Sequence, residues 1–167
     1  MLAGAVMSTR KKWQVFGCLV LGVLVLDQAT KLYVHTTFAL HESYPVITDL
    51  LAFTYVRNSG AAFGILARQS QEFLRLFFPA VTVVALTGLL VYFVRVPYQQ
   101  TLTLYGLCLV MGGAIGNGID RLWLGQVIDF IDVSWYAYHW PAFNVADSSI
   151  CIGVGLLLLD SFRTARS

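Results

Sequence analysis

Four long apolar runs decide what this chain can become. Trp13–Val34, Phe73–Val94, Thr101–Ile119 and Val145 to about Phe162 each approach the length of a bilayer core. Twenty-two helical residues rise about 33 Å, against a hydrocarbon layer of about 30 Å. Inside lipid the backbone must satisfy its own polar groups, so these runs are read as helices. Composition agrees. Hydrophobic residues make up 57% of the chain and charged residues 12%, about half the charged share of a soluble domain. The expected fold is a mostly α membrane protein, one domain over residues 1–167, with spans near 13–34, 73–94, 101–119 and 145–162.

Several function classes fall away at this point. A net charge of +2 with no basic tract gives nucleic acid nothing to hold. Cys18, Cys108 and Cys151 lie far apart in apolar runs and read as packing residues. There is no CxxC, HExxH, zinc-ligand spacing, Walker motif or dinucleotide fingerprint. Neither metal nor cofactor is expected.

Arg10–Lys11–Lys12 ahead of an apolar core has the outline of a cleavable leader. Helical periodicity nevertheless continues through Asp27, Gln28 and Lys31 to Val34, so the segment is read as a retained span. Met7 is an alternative start to Met1. Residues 36–72 form the only sizeable stretch before the second span that is not continuously apolar. Leu51–Arg57 is rich in aromatic and β-branched residues and reads as a strand. Asn58–Ser59–Gly60 is a turn, Pro45–Ile47 a second short strand, and Ala61–Leu66 a further strand or an amphipathic turn on the membrane. Pro79 falls in the first two turns of its span, where it is tolerated. Gly106, Gly112, Gly113, Gly116 and Gly118 allow close helix packing.

Spans alternate sides. One side then holds Arg10, Lys11, Lys12, Arg95, Arg163 and Arg166; the other holds Arg57, Arg68, Arg75 and Arg121, with Lys31 at a helix end. The excess places both termini in the cytoplasm. Asp27, Lys31, Asn58, Asn117, Asp120, Arg121, Asp129 and Asp147 all converge on the opposite, extracytoplasmic interface. Trp123, Trp135, Tyr136, Tyr138 and Trp140 surround the same boundary as an aromatic belt.

Ionisable groups at membrane depth are costly and need partners. Asp27 and Lys31 share a helix face, either as a structural ion pair or to orient a substrate. Asp120 is a helix-end anchor, or a site acid held ionised by an arginine elsewhere in the fold. Arg121 carries five rigid donors suited to a peptide carbonyl. Asn144 and Asp147 have the spacing of an N-terminal cap. Asp129 is harder to explain blandly, because Val127–Ile128–Asp129–Phe130–Ile131 is apolar around it. In an extended stretch Asp132 faces the other way, leaving Asp129 to turn towards Asp147. Two close carboxylates can share a proton, one activating water and the other polarising a carbonyl. Ser148 and Ser149 lack a nearby His or Lys. His35, His41 and His139 show no metal spacing and read as solvated or interfacial.

Five motifs together resemble those of bacterial lipoprotein signal peptidases, the signal peptidase II family. They are Asp27–Gln28–Ala29–Thr30–Lys31, Arg57–Asn58–Ser59–Gly60–Ala61–Ala62–Phe63, Gly112–Arg121, Val127–Ile128–Asp129–Phe130 and Phe143–Asn144–Val145–Ala146–Asp147–Ser148. The resemblance covers nearly the whole chain. It implies four spans with a small extracytoplasmic β-cradle, near residues 36–72, and a short interfacial helix. It implies that Asp129 and Asp147 are the catalytic aspartates and that Asn58 and Arg121 hold the substrate backbone. Asp27, Lys31, Gly113, Asn117, Asp120, Asn144 and Ala146 would support the site. The implied substrates are diacylglyceryl-modified prolipoproteins, cut just before the lipid-bearing cysteine by a monomer lodged among inner-membrane lipids. Two rival readings remain: a transporter or scaffold relaying ions through Asp27, Asp120 and Asp147, and a metal enzyme using Asp120, Asp129, Asp132 and His139.

Overall fold

A computed structural model describes residues 9–60, 70–136 and 138–164. Its elements, in chain order, are α1 (Thr9–Thr37), β1 (Ser43–Ile47), β2 (Leu51–Asn58), α2 (Gln71–Arg95), α3 (Thr101–Leu124), β3 (Val127–Trp135), β4 (Tyr138–His139) and α4 (Val145–Thr164). All four helices are long and apolar enough to cross a membrane. The chain is a multi-pass membrane protein.

α3 is the hub, packed by α1, α2 and α4 and the most buried of the four. Its small residues make this possible. A Cβ on Gly113 would run into the Ala146 carbonyl oxygen of α4, and one on Gly116 would lie 2.5 Å from an Asp27 carboxylate oxygen of α1. Without a side chain at these positions, α1 and α4 come within backbone reach of α3. Below them Leu104, Leu107, Cys108 and Met111 pack with Phe93 of α2 and Val96 just past its end in an apolar core. The outward faces stay greasy, with Leu21, Val25, Val83, Val84 and Leu158 all exposed; lipid is the solvent there.

The strands form one antiparallel sheet in the order β1-β2-β3-β4, at the end of the bundle where α1 and α3 finish and α2 and α4 begin. The expected strands at 45–47 and 51–57 are present, slightly extended. The cradle is not confined to residues 36–72, because β3 and β4 supply half of the sheet. β3 pairs with β2 from Leu51↔Val133 to Asn58↔Val127, with a register shift between Phe53 and Val56. β4 is too short, at two residues, to leave a periodic signal. The expected strand, turn or interfacial helix around Ala61–Leu66 lies outside the described residues.

α3 continues past the expected end at Ile119 to Leu124, then stops at Gly125, whose φ of 74° suits the left-handed cap. The extra turn is stable because Asp120, which looked like a terminus signal, is paired inside the bundle. β3 follows two residues later, so the turn at Gly125 sets where Asp129 lies.

Candidate active site

The site is built from buried polar residues at the sheet end of the bundle. At its base is Lys31 of α1. Its ammonium has three protons and three partners: Asp27 Oδ2, Asp120 Oδ2 and Asn117 Oδ1, each at 2.9 Å. Asp27 and Lys31 pair as their spacing predicts. The arginine expected to hold Asp120 is instead this lysine, which an isolated motif could not reveal. Gln28, quoted in the sequence motif but given no role, bridges Asp27 Oδ2 and Asp120 Oδ1 at 3.1 Å and also donates to the Gly116 carbonyl.

The two lower carboxylates then reach upward. Asp27 Oδ1 accepts the Ala146 N–H at 2.9 Å, and Asp120 Oδ2 accepts the Ile128 N–H at 3.1 Å. Ala146 precedes Asp147 and Ile128 precedes Asp129. One lysine thus fixes, through one carboxylate on each side, the backbone beside both candidate catalytic aspartates.

Asn117 and Asn144 complete the arrangement. Lys31 can only donate, so it takes the Asn117 carbonyl oxygen and leaves the amide nitrogen for Asp147 Oδ1, at 2.8 Å. Asn144 donates to Asp129 Oδ1 at 2.7 Å and, at 3.2 Å, to Asn117 Oδ1 and the Ile128 carbonyl. The Asn144 side-chain oxygen accepts the Asp147 N–H at 2.9 Å, and Asp147 Oδ2 accepts the Asn144 N–H at 3.2 Å. That reciprocal pair is a capping box opening α4. Capping and site-building are therefore one function here, although the sequence posed them as alternatives.

Asn58, at the end of β2, donates to Asp129 Oδ2 at 3.1 Å and accepts the Gly60 N–H at 2.8 Å. Asp129 is buried, with one amide on each oxygen. Burial pushes its carboxyl up to about 6, the nearby charge of Asp147 adds to the rise, and the Asn58 and Asn144 amides oppose it. Asp147 is half-buried. Arg121 lies over the Phe78 ring at 4.9 Å and within electrostatic reach of Asp147, Asp129 and Asp120. Its Nε is buried and, among the described residues, meets no acceptor. Its one hydrogen bond among the described residues, to the Asn117 carbonyl, is long at 3.5 Å. A guanidinium so placed has donors to spare for a further acceptor.

All eleven residues singled out from the sequence are thus gathered at this end or, like Gly113 and Ala146, form its tight helix contacts. Sequence reasoning missed Gln28, Phe78 and His35. Rather than being merely solvated, His35 lies 2.6 Å from the Tyr55 hydroxyl. Gln28 had a signal, being a polar residue beside Asp27 in an apolar helix. The aromatic partners of Arg121 and His35 come from other elements and had none.

The rival metal set is not brought together. Asp132 turns to the open face of the sheet and pairs with His139 at 3.0 Å, while Asp129 faces inward and Asp120 belongs to Lys31. Among the described residues, no group of three or more His, Cys, Asp or Glu could hold a metal ion. Ser148 and Ser149 donate to the carbonyls of Asn144 and Leu109, an ordinary use of serines in a membrane helix.

The family model described as Signal peptidase (SPase) II matches residues 19–163. The chain belongs to the signal peptidase II family. It is accordingly a membrane peptidase, a hydrolase of the aspartic class. Over 154 residues it is 51% identical to the lipoprotein signal peptidase of Geobacter sulfurreducens, covering 92% of this chain and 95% of the relative. The Geobacter metallireducens lipoprotein signal peptidase is 46% identical over 157 residues, 94% of this chain and 96% of the relative. Among solved structures, a bacterial membrane enzyme determined in meso at 2.3 Å superposes with a TM-score of 0.81 and 35% identity, covering 91% of this chain and 90% of the other. A second, determined at 1.9 Å, gives 0.78 and 36%, with coverages of 87% and 91%.

Proposed function

We propose that this member of the signal peptidase II family removes the signal peptide from diacylglyceryl-modified prolipoproteins, cutting just before the lipid-bearing cysteine. Asp129 and Asp147 carry the chemistry. The observation behind this is that Asn144 joins the two: its amide holds Asp129 while its carbonyl caps the N–H of Asp147. The carboxylates are close enough for one charge to raise the other's affinity for protons. Such a pair shares a proton.

Asp129, more buried and raised to about 6, keeps that proton. Asp147, nearer the surface, is the base. A water between them gives a proton to Asp147 as its oxygen attacks the scissile carbonyl carbon. Asp129 donates to the carbonyl oxygen as the tetrahedral diol forms. Collapse breaks the C–N bond: the proton held by Asp147 goes to the leaving cysteine nitrogen, and one diol hydroxyl returns its proton to Asp129, leaving a carboxylic acid. Arg121, with donors to spare, and Asn58 hold the peptide backbone in line; positioning of this kind lowers a barrier by several kcal/mol. The lower layer of Asp27, Lys31, Asp120, Asn117 and Gln28 keeps the pair in register.

The sheet end is the extracytoplasmic face, and both termini lie in the cytoplasm. This follows from the excess of basic residues at the other end. A substrate anchored by its acyl chains delivers its scissile bond to that interface, since each buried methylene contributes about 0.8 kcal/mol. The candidate catalytic and positioning residues all come from one chain, so a monomer suffices for this chemistry.

The test is cleavage in detergent micelles, with EDTA present, of a synthetic prolipoprotein with and without its diacylglyceryl group, products being read by mass. Cutting of the modified form alone, immediately before the cysteine, is expected. Cutting elsewhere, equal cutting of both forms, or no cutting by folded enzyme would overturn the reading.

A further inference from the structure

Directly beneath the site, on its lipid side, a groove runs between α2 and α3. Pro79, Thr82, Val83 and Leu86 form one wall, and Ile115 and Leu122 the other. Its volume is about 530 Å³. The lining is apolar almost throughout, and it is open to the membrane.

Its upper end joins the site. Phe78 immediately precedes the first lining residue, Pro79, and its ring carries the Arg121 guanidinium. A Cβ on Gly60, next in the turn held by Asn58, would collide with the tip of the same ring. On α3, Gly118 and Leu122 of the groove flank Asn117 and Arg121 of the site. Residues 79–86 then descend two turns along α2, about 12 Å from the site into the bilayer. The rim that faces the peptide and the groove that faces lipid therefore share one aromatic floor.

We propose that this groove takes the acyl chains of the substrate's diacylglyceryl group; the proposal rests on the peptidase reading above. Two observations select this occupant. The groove walls expose almost no polar surface to match a headgroup or a peptide backbone. The groove also begins beside Phe78, the ring beneath Arg121, which on the peptidase reading is where a lipid-bearing cysteine, just past the scissile bond, would sit. Chains lying in it would fix the cysteine against Phe78 and hold the preceding bond beneath Arg121 and Asn58. The acyl chains then act as a positioning handle as well as a membrane anchor.

The test varies the groove and the acyl length together. Val83 is exposed to lipid, so Val83→Trp fills the groove without disturbing the core. Leu158→Trp, on an exposed position of α4, is the control. For a dipalmitoyl substrate, Val83→Trp should raise KM about tenfold, the effect of losing roughly two methylenes of burial. For a dibutyryl substrate KM should be unchanged, and Leu158→Trp should leave both unchanged. A palmitoyl chain carrying a terminal diazirine should label the groove walls, residues 79–86 of α2 and 115–122 of α3. Equal effects on both chain lengths, labelling mainly on α1 or α4, or labelling of the groove by a photo-leucine in the signal peptide instead of the acyl probe would each overturn the proposal. In all these cases cleavage by wild type would persist and the peptidase reading would stand. If wild type cuts no diacylglyceryl substrate, that reading fails and this proposal fails with it.

Discussion

The bundle has a buried cation at each end, and the two are used differently. At the end away from the sheet, Lys12 of α1 donates to the carbonyls of Phe93 and Val96 at 2.6 and 2.7 Å and to Val94 at 3.3 Å, and lies 4.7 Å above the Phe93 ring. It caps the last turn of α2 with a charge that suits the helix dipole. Among the described residues, every hydrogen-bond partner is a backbone carbonyl, and the contact closes on the Phe93 ring. At the sheet end, Lys31 also satisfies all its donors, but its partners are carboxylates and an amide that pass the constraint on to Asp129, Asp147 and Arg121. Those residues keep free capacity: a carboxyl with a raised affinity for protons, a half-buried carboxylate and a guanidinium nitrogen that meets no acceptor among the described residues. A buried polar cluster that closes on itself is structural. One that ends in unspent donors and acceptors is a site.

Substitutions can pull the two apart. The largest effect on the fold is expected from Lys31→Met, which leaves Asp27 and Asp120 buried and uncompensated. A loss of about 3–5 kcal/mol follows, seen as a collapse of thermal stability in detergent and loss of cleavage together. Lys12→Met should cost about 2 kcal/mol, since it removes charged hydrogen bonds and leaves α2 carbonyls bare. Cleavage per folded molecule should not change, as measured by kcat after correction for the folded fraction. A fall in kcat at full folding would show that the two ends are coupled and would break the comparison.

A smaller effect separates the roles of individual hydrogen bonds. On the proposed mechanism the free enzyme works with Asp129 protonated, so kcat/KM should fall as pH rises through about 6. The Asn58 amide favours the charged carboxylate and opposes the upward shift. Asn58→Ala should therefore move this limb to higher pH, by a fraction of a unit to about one unit, while lowering kcat/KM overall. A limb that moves to lower pH would contradict the assignment of the proton.

Much of this was legible beforehand because it is local. The spans follow from apolar length, the Asn144–Asp147 cap from a spacing of three, and the Asp27–Lys31 pair from a spacing of four. Asp129 stood out because an acid inside an apolar strand requires a reason. What the sequence left as alternatives, cap or catalyst and ion pair or site, need not exclude each other, since the cap and the ion pair lie in the same cluster and one side chain can serve two neighbours in three dimensions. The partner of Asp120 was misread as an arginine because Lys31 lies on another helix, brought near by Gly116. The pairing of the sheet's second half went unread because β4 has only two residues and β3 pairs with β2, far behind it in the chain.

The central claim is that Asp129 is there for chemistry and not to hold the fold. Its folded proton affinity exceeds the unfolded one, so its stabilising contribution is present at low pH and lost as pH rises from about 4 to about 6. Above that the bare carboxylate is a cost, and Asp129→Asn removes a burden along with the proposed catalytic group. The decisive measurement pairs melting temperature with cleavage rate for Asp129→Asn at pH 7.5. The account predicts a Tm within about 4 °C of wild type, the span of roughly 1 kcal/mol, and cleavage reduced at least about 100-fold. Cleavage retained by the folded variant, or lost only because the variant unfolds, would contradict it.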